Sequence, residues 1–229
     1  MKQKKKKIKL RIKLLPVFLV LLTGILLFYG GKMILNTRIK NIFIYGNNYV
    51  KDDEILKLAE IIDYPKFYMT LSNKIENKIL ENPYIKTVSV KKSFYHVVEI
   101  TIKENIPLFI KDTKDVVVLE NETEVENTNK YALPRLINEV PTEIYSKFVE
   151  NMKDLEPIVR SKISEIKYKP SEYDDSRFLL YMNDGNYVYL TLSKFEQLGH
   201  YNEVYETLEN KKGTLYLDSG NHFVIAKEK

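Results

Sequence analysis

His96-Val97-Val98-Glu99-Ile100-Thr101-Ile102-Lys103-Glu104 alternates without a break, Val98, Ile100 and Ile102 against Val97, Glu99, Thr101 and Lys103. A period of two sends the aliphatic set to one face of a strand and the polar set to the other. One buried face and one wet face is the pattern of an antiparallel sheet with helices on a single side. Just before it, Thr87 to Lys92 puts Val88 and Val90 on one face of a second strand. Further back, Ile39 to Tyr45 alternates as well, and Gly46-Asn47-Asn48 is a turn signal that ends it. The interval between carries a helical period instead. Asp52 or Asp53 is placed to cap a helix with Ile55, Leu58 or Ala59, and Ile62 on its apolar stripe, which Pro65 ends. A second helix starts near Ser72 or Asn73, where Asn73 and Glu76 have capping-box spacing; Ile75, Ile79 and Leu80 form its stripe and Pro83 stops it. The order is β-α-α-β-β, a small α+β unit assigned to residues 37–111.

A shift to polar, acidic composition begins at Asp112 and peaks in Glu120-Asn121-Glu122-Thr123-Glu124, so the change of domain is placed near Lys111. Beyond it, residues 112–229 read as mostly β with two helices. Strands are expected at Asp115–Leu119, Tyr131–Ile137, Ser164–Lys169, Arg177–Met182, Tyr187–Leu192, Thr214–Leu217 and His222–Ala226. Asn183-Asp184-Gly185-Asn186 supplies a hairpin turn of the Asp-Gly type. Ile144, Phe148, Met152 and Leu155 mark one helix over Glu143–Leu155, and Lys194–Leu208 is read as the other. The run from Asn121 to Glu126 reads as a solvated loop.

Upstream of the first unit, Lys2, Lys4, Lys5, Lys6, Lys7, Lys9, Arg11 and Lys13 precede an uncharged stretch, Leu14 to Gly31, with twelve Leu, Ile, Val or Phe among its eighteen residues. Each contributes roughly −0.3 to −0.6 kcal/mol at mid-membrane, so insertion is favoured by several kcal/mol. Continued to Leu35, the helix measures roughly 33 Å against a hydrocarbon core of about 30 Å. The sequence therefore predicts a cytoplasmic basic tail at 1–13, a transmembrane helix at 14–35 and an extracytoplasmic remainder, by the positive-inside rule. A cleaved signal peptide is the competing reading, but the apolar run exceeds the roughly 7–15 residues of a signal core and no A-x-A-like site follows it. The net charge of +5 belongs to the tail; without its eight charges the remainder carries −3. The tail thus reads as a topology signal and an anionic-lipid contact rather than a nucleic-acid site. With no cysteine in the chain, the external part is held by packing alone.

Catalytic signals are missing. His96, His200 and His222 fall in three different elements without metal-ligand spacing and read as surface residues. No G-x-S-x-G, phosphate loop or G-x-G-x-x-G occurs. Asp174-Asp175 and Asp184 read as turn acids. Seventeen tyrosines against no tryptophan is unusual; alternate ones such as Tyr187 and Tyr189 suit half-buried strands, and some are candidates to face a partner.

Three segments resemble one family. Ile42-Phe43-Ile44-Tyr45-Gly46-Asn47 is similar to the strand that opens a POTRA domain. Asn82-Pro83-Tyr84-Ile85-Lys86-Thr87-Val88-Ser89-Val90-Lys91-Lys92 and Ile100-Thr101-Ile102-Lys103-Glu104-Asn105-Ile106-Pro107 resemble its closing hairpin. Leu133-Pro134, Ser164-Glu165-Ile166, Asp184-Gly185-Asn186 and Lys212-Gly213 recur in this order in the β domain of the bacterial division proteins FtsQ and DivIB. One departure is that Phe94-Tyr95 is followed by His96 where the family has an aromatic-Pro pair. The resemblance implies a non-enzymatic, membrane-anchored scaffold of the division septum, without cofactor, metal or small-molecule substrate. It also implies partners of the FtsL and FtsB/DivIC type, both single-span division proteins. Leu215-Tyr216-Leu217-Asp218-Ser219-Gly220 resembles the family segment implicated in binding FtsB or DivIC, so Tyr216, Leu217, Asp218, Ser219, Gly220, Phe223 and Val224 are the expected partner-binding residues. Backbone groups of the terminal strand would bind an added strand, and an exposed Leu217 or Phe223 would fill apolar contacts. Alternation requires at least one of Phe223 and Val224 to face inward. A chaperone-like POTRA protein for exported chains and a membrane-anchored cell-wall enzyme are the alternatives; the first calls for tandem POTRA repeats or a long barrel, the second for a convergent acid, base or nucleophile.

Overall fold

The computed structural model describes residues 14–128, 130–207 and 211–226; the basic tail at 1–13 and Leu208 of the last expected helix lie outside them. The fold is α+β. Helix α1 (Leu14–Leu35) is apolar throughout, with its one charge, Lys32, in the last turn. Over Leu15–Leu35 the protein buries none of it. The chain divides into two compact units, one combining residues before Asn82 with Thr87–Ile102, the other Asn82–Lys86 with the chain from Lys103 onward.

Beyond α1, the first unit contains β1 (Asn41–Tyr45), α2 (Asp52–Leu58), a 3-10 turn at Phe67–Met69, α3 (Ser72–Ile79), β2 (Ile85–Ser93) and β3 (Val97–Glu104). The sheet order is β1-β3-β2. Val98, Ile100 and Ile102 are buried while Glu99, Thr101 and Lys103 are exposed, as the alternation requires. The sheet is mixed rather than purely antiparallel, because β1 runs parallel to β3 with Ile42 opposite Val98 and Ile44 opposite Ile100. Two helices between β1 and β2 give the chain the length a parallel return needs. Gly46 follows β1 at φ +86°, where a Cβ would lie 2.1 Å from the Ile102 carbonyl oxygen, so only glycine fits this exit.

Local details differ from the sequence reading. Neither helix has a side-chain cap: Lys51 and Leu71 hold the N-cap positions. Asp52 instead accepts from the Asn47 carboxamide at 2.7 Å, and Glu76 accepts the Val90 backbone N–H at 2.7 Å, clamping α3 to β2. Ile61, not Ile62, is buried, since α2 stops at Leu58 and Glu60 turns the chain at φ 54°. Leu80, just past α3, is exposed. His96 turns the β2–β3 hairpin at φ 60°; it is half-buried rather than a surface residue, its ring edge-on to Phe67 with centroids 5.1 Å apart.

The second unit contains β4 (Pro107–Lys111), β5 (Val116–Leu119), β6 (Glu124–Glu126), β7 (Arg135–Leu136), α4 (Thr142–Asp154), α5 (Pro157–Arg160), β8 (Ile163–Tyr168), β9 (Arg177–Met182), β10 (Tyr187–Thr191), a 3-10 helix at Leu192–His200, α6 (Tyr201–Thr207), β11 (Gly213–Tyr216) and β12 (His222–Ile225). They build one sheet in the order β12-β11-β10-β9-β8-β7-β4-β5-β6. Since β4 pairs with β5, the composition shift at Asp112 marks a turn inside this sheet, and Pro107–Lys111 is part of the second unit. Phe148 of α4 packs between Phe109 of β4, Phe178 of β9 and Phe195, with ring centroids 5.2, 4.7 and 6.0 Å away, and these rings centre the core.

The strand expected at Tyr131–Ile137 shrinks to β7, since Pro134 has no N–H and contributes only its carbonyl, to Ile110 at 2.9 Å. Within the run read as a loop, Glu124–Glu126 forms β6, with Val125 packed on the small cluster of Ile110, Val117 and Leu119. The expected helix at Lys194–Leu208 is a 3-10 helix followed by α6, with Gly199 at the junction.

Candidate partner-binding edge

The last two strands end the nine-stranded sheet, and no described strand pairs with the outer side of β12. The ladder determines which backbone groups face that open side. Gly213, Thr214, Leu215 and Tyr216 lie opposite Ile225, Val224, Phe223 and His222. The Ala226 N–H donates to the Lys212 carbonyl at 2.8 Å, so Ala226, Val224 and His222 point their backbone groups at β11. Phe223 and Ile225 therefore present N–H and C=O to the open edge. On the other side, the Leu217 N–H donates to the Tyr189 carbonyl at 2.8 Å, which fixes β11 to β10 with the complementary phase.

Buried side chains hold this edge in place. Asn186 accepts the Gly213 N–H at 2.9 Å and donates to the Tyr201 hydroxyl at 3.3 Å. That hydroxyl donates to Asp184 at 2.7 Å, and burial together with the Asp184 carboxylate pushes its pKa well up, so it stays a donor. The Asp184-Gly185-Asn186 turn is thus tied to the first residue of β11. Asn186→Ala leaves both the Gly213 N–H and the Tyr201 hydroxyl short of a partner and should cost about 1–3 kcal/mol, read as a lowered midpoint in thermal or urea unfolding. At the other end of β11, the Arg177 guanidinium donates to Asp218 at 2.6 Å and lies 3.9 Å over the Tyr189 ring.

The seven expected residues therefore divide. Leu217 is 6% exposed and belongs to the core, not to an accessible surface. Asp218 is engaged by Arg177 and holds the turn. Phe223 is half-buried, packed on the core with its ring over Gly213. Tyr216 stacks between Tyr189 and His222, with centroids 5.3 and 5.0 Å away. Ser219 and Gly220 are exposed at the turn, and Val224 is 50% exposed on β12. The sequence reading missed Ile225, 54% exposed with its backbone on the open side, although its spacing of two from Phe223 gives it the same phase. It also missed the ring ladder Tyr189–Tyr216–His222, which the registers of β10 with β11 and of β11 with β12 create.

The described residues contain no group of three or more His, Cys, Asp or Glu that could hold a metal ion. A cleft of about 910 Å³ lies between α4 and the 3-10 helix and is lined by Lys147, Asp154, Glu156, Glu196 and His200 among others.

Residues 37–105 match the POTRA domain, FtsQ-type. The cell division protein DivIB of Bacillus subtilis (strain 168) is 30% identical over 194 residues, covering 82% of this chain and 74% of the relative. DivIB of Bacillus anthracis is 27% identical over 220 residues, 93% of this chain and 82% of the relative. Among solved structures, the major extracytoplasmic domain of DivIB from Geobacillus stearothermophilus, in its trans isomer, is 25% identical; it covers 47% of this chain and 96% of that one, with a TM-score of 0.39.

Proposed function

Since the chain belongs to the FtsQ/DivIB family of bacterial cell division proteins, we propose that it is a membrane-anchored, non-enzymatic scaffold of the division septum. In this reading α1 crosses the membrane once, the basic tail stays in the cytoplasm, and both folded units stand outside. The first unit is the recruitment module, and the second, whose sheet includes Pro107–Lys111, docks single-span partners of the FtsL and FtsB/DivIC type.

The open side of β12 carries this reading. A partner segment in extended conformation adds a tenth strand there, taking hydrogen bonds from Phe223 and Ile225. Affinity comes from the main chain; the exposed Val224 and Ile225 side chains on opposite faces supply apolar contacts that select the incoming residues. An edge left open this way is a liability unless a partner covers it.

The test is site-specific cross-linking in cells with a photoreactive amino acid in the full-length protein. At Val224 it should capture a DivIC-type protein, and at the exposed Tyr173 it should not. Equal capture at both positions, or at neither, would put the docking surface elsewhere. Protease added to spheroplasts should remove both units and leave a short anchored N-terminus; a released protein beginning near Lys32 would mean cleavage instead of anchoring.

A further inference from the structure

We propose that the first unit lies against the bilayer surface beside its own anchor, through an aromatic belt ringed by basic residues that takes anionic lipid headgroups. The inference rests on the reading of α1 as a membrane span.

The connection between α1 and the rest of the unit is short and closed by hydrogen bonds. The Asn36 and Thr37 N–H groups still bond back to Lys32 and Ile34, at 3.1 and 3.0 Å. The Thr37 carbonyl then accepts the Phe67 N–H at 2.8 Å, Ile39 donates to Pro65 at 3.0 Å, and Arg38 bridges to Lys66. Lys40 donates to the His96 carbonyl at 2.8 Å. Two residues of chain reach at most about 7 Å, while the headgroup layer is roughly 5–8 Å deep on each side. The 3-10 turn at Phe67, bonded two residues past the end of α1, is therefore held at headgroup level, and the ring contact between His96 and Phe67 ties the hairpin tip to it.

What these two segments expose there is apolar. Phe94 is 97% exposed and Tyr95 81%; Met69 and Leu71 are also exposed, with Tyr68 beside them. Single exposed apolar residues are ordinary on a soluble surface, but five on two adjoining segments at the mouth of an apolar helix are a cluster. The tip is fixed in place: the His96 ring sits edge-on to Phe67 and Tyr68, with centroids 5.1 and 5.8 Å away, and the Lys92 ammonium donates to the Thr70 carbonyl at 2.7 Å. Aromatic rings with a polar rim suit the boundary between acyl chains and water.

Charge points the same way. The segments 36–40, 63–71 and 91–96 carry Arg38, Lys40, Lys66, Lys91 and Lys92 against one acid, Asp63. Outside the basic tail the chain is net acidic, so this local excess stands out and matches an anionic headgroup layer.

The chain has no tryptophan, so single substitutions to tryptophan report their own depth. The full-length protein, reconstituted alone in phosphatidylcholine vesicles with and without phosphatidylglycerol, is measured with lipids that carry a quencher near the headgroup or deep in the acyl chains. Ile25→Trp, central in α1, monitors the span. Tyr45→Trp, at the end of β1 farthest from Lys40, monitors the rest of the sheet. Phe94→Trp and Tyr95→Trp should be quenched at least about twice as strongly by the shallow label as by the deep one, and more with phosphatidylglycerol present, while Tyr45→Trp is unaffected. Deep quenching of Ile25→Trp with no quenching at Phe94→Trp or Tyr95→Trp overturns the proposal and leaves the span standing. An unquenched Ile25→Trp overturns the span, and the proposal with it. Tip quenching that is indifferent to phosphatidylglycerol and to salt overturns the role of the basic ring.

Discussion

Ile225→Pro leaves the second unit folded and weakens strand-adding partner binding by at least about tenfold, or about 1.4 kcal/mol, while Val224→Pro detaches β12 itself. The contrast comes from the phase of the ladder. Val224 points its N–H at β11, where proline removes a ladder bond and leaves the Thr214 carbonyl unpaired, at a cost of about 1–3 kcal/mol. Ile225 points its N–H outward, so proline there removes nothing from the fold. Edge strands tolerate proline in that position, and Val224 already has the extended conformation that precedes one. For a partner, the same ring deletes a donor and obstructs the approach of its backbone. Isothermal titration with a DivIC-type external domain, beside thermal melts of both variants, gives the check. Unchanged affinity for a folded Ile225→Pro protein would remove β12 as the docking edge.

How far the sequence reaches depends on whether a signal is local. The run from Val97 to Lys103 declares its buried face by itself, and the structure buries the three residues it names. The turn at Asp184-Gly185 is equally local, and β9 and β10 flank it as expected. Pairing between distant segments carries no such signal. Nothing near Ile42 says that β1 runs parallel to β3, and nothing near Glu76 says that its carboxylate is spent on the Val90 N–H rather than on its own helix. A capping box is a statement about one turn, and a tertiary partner outcompetes it here. The candidate edge shows both cases. The pair of short strands around Asp218-Ser219-Gly220 was legible, but the burial of Leu217 depends on a sheet assembled from strands dozens of residues apart. Asp218, expected at the partner surface, is engaged by Arg177 of β9.

Gly213→Ala should remove β12 from the sheet without unfolding the rest. A Cβ on Gly213 would lie 2.2 Å from the Val224 carbonyl oxygen and 2.7 Å from the Phe223 ring. The first obstacle is backbone and cannot rotate away, so β12 has to move outward by about an ångström to restore normal contact. That shift strains or breaks the paired bonds between Thr214 and Val224 and lifts Phe223 off the core. Overpacking costs about 1–3 kcal/mol and each lost hydrogen bond about 0.5–1.5 kcal/mol more. The sum, on the order of 2–6 kcal/mol, exceeds what a four-residue edge strand retains, whereas β11 stays pinned through Asn186 and Tyr189. Hydrogen exchange should show the Val224 and Ala226 amides losing protection while those of β9 and β10 keep theirs, with partner affinity falling more than about thirtyfold. If β12 keeps its protection in Gly213→Ala, the close approach is relieved without strand displacement, and the loss of binding expected from it must not occur.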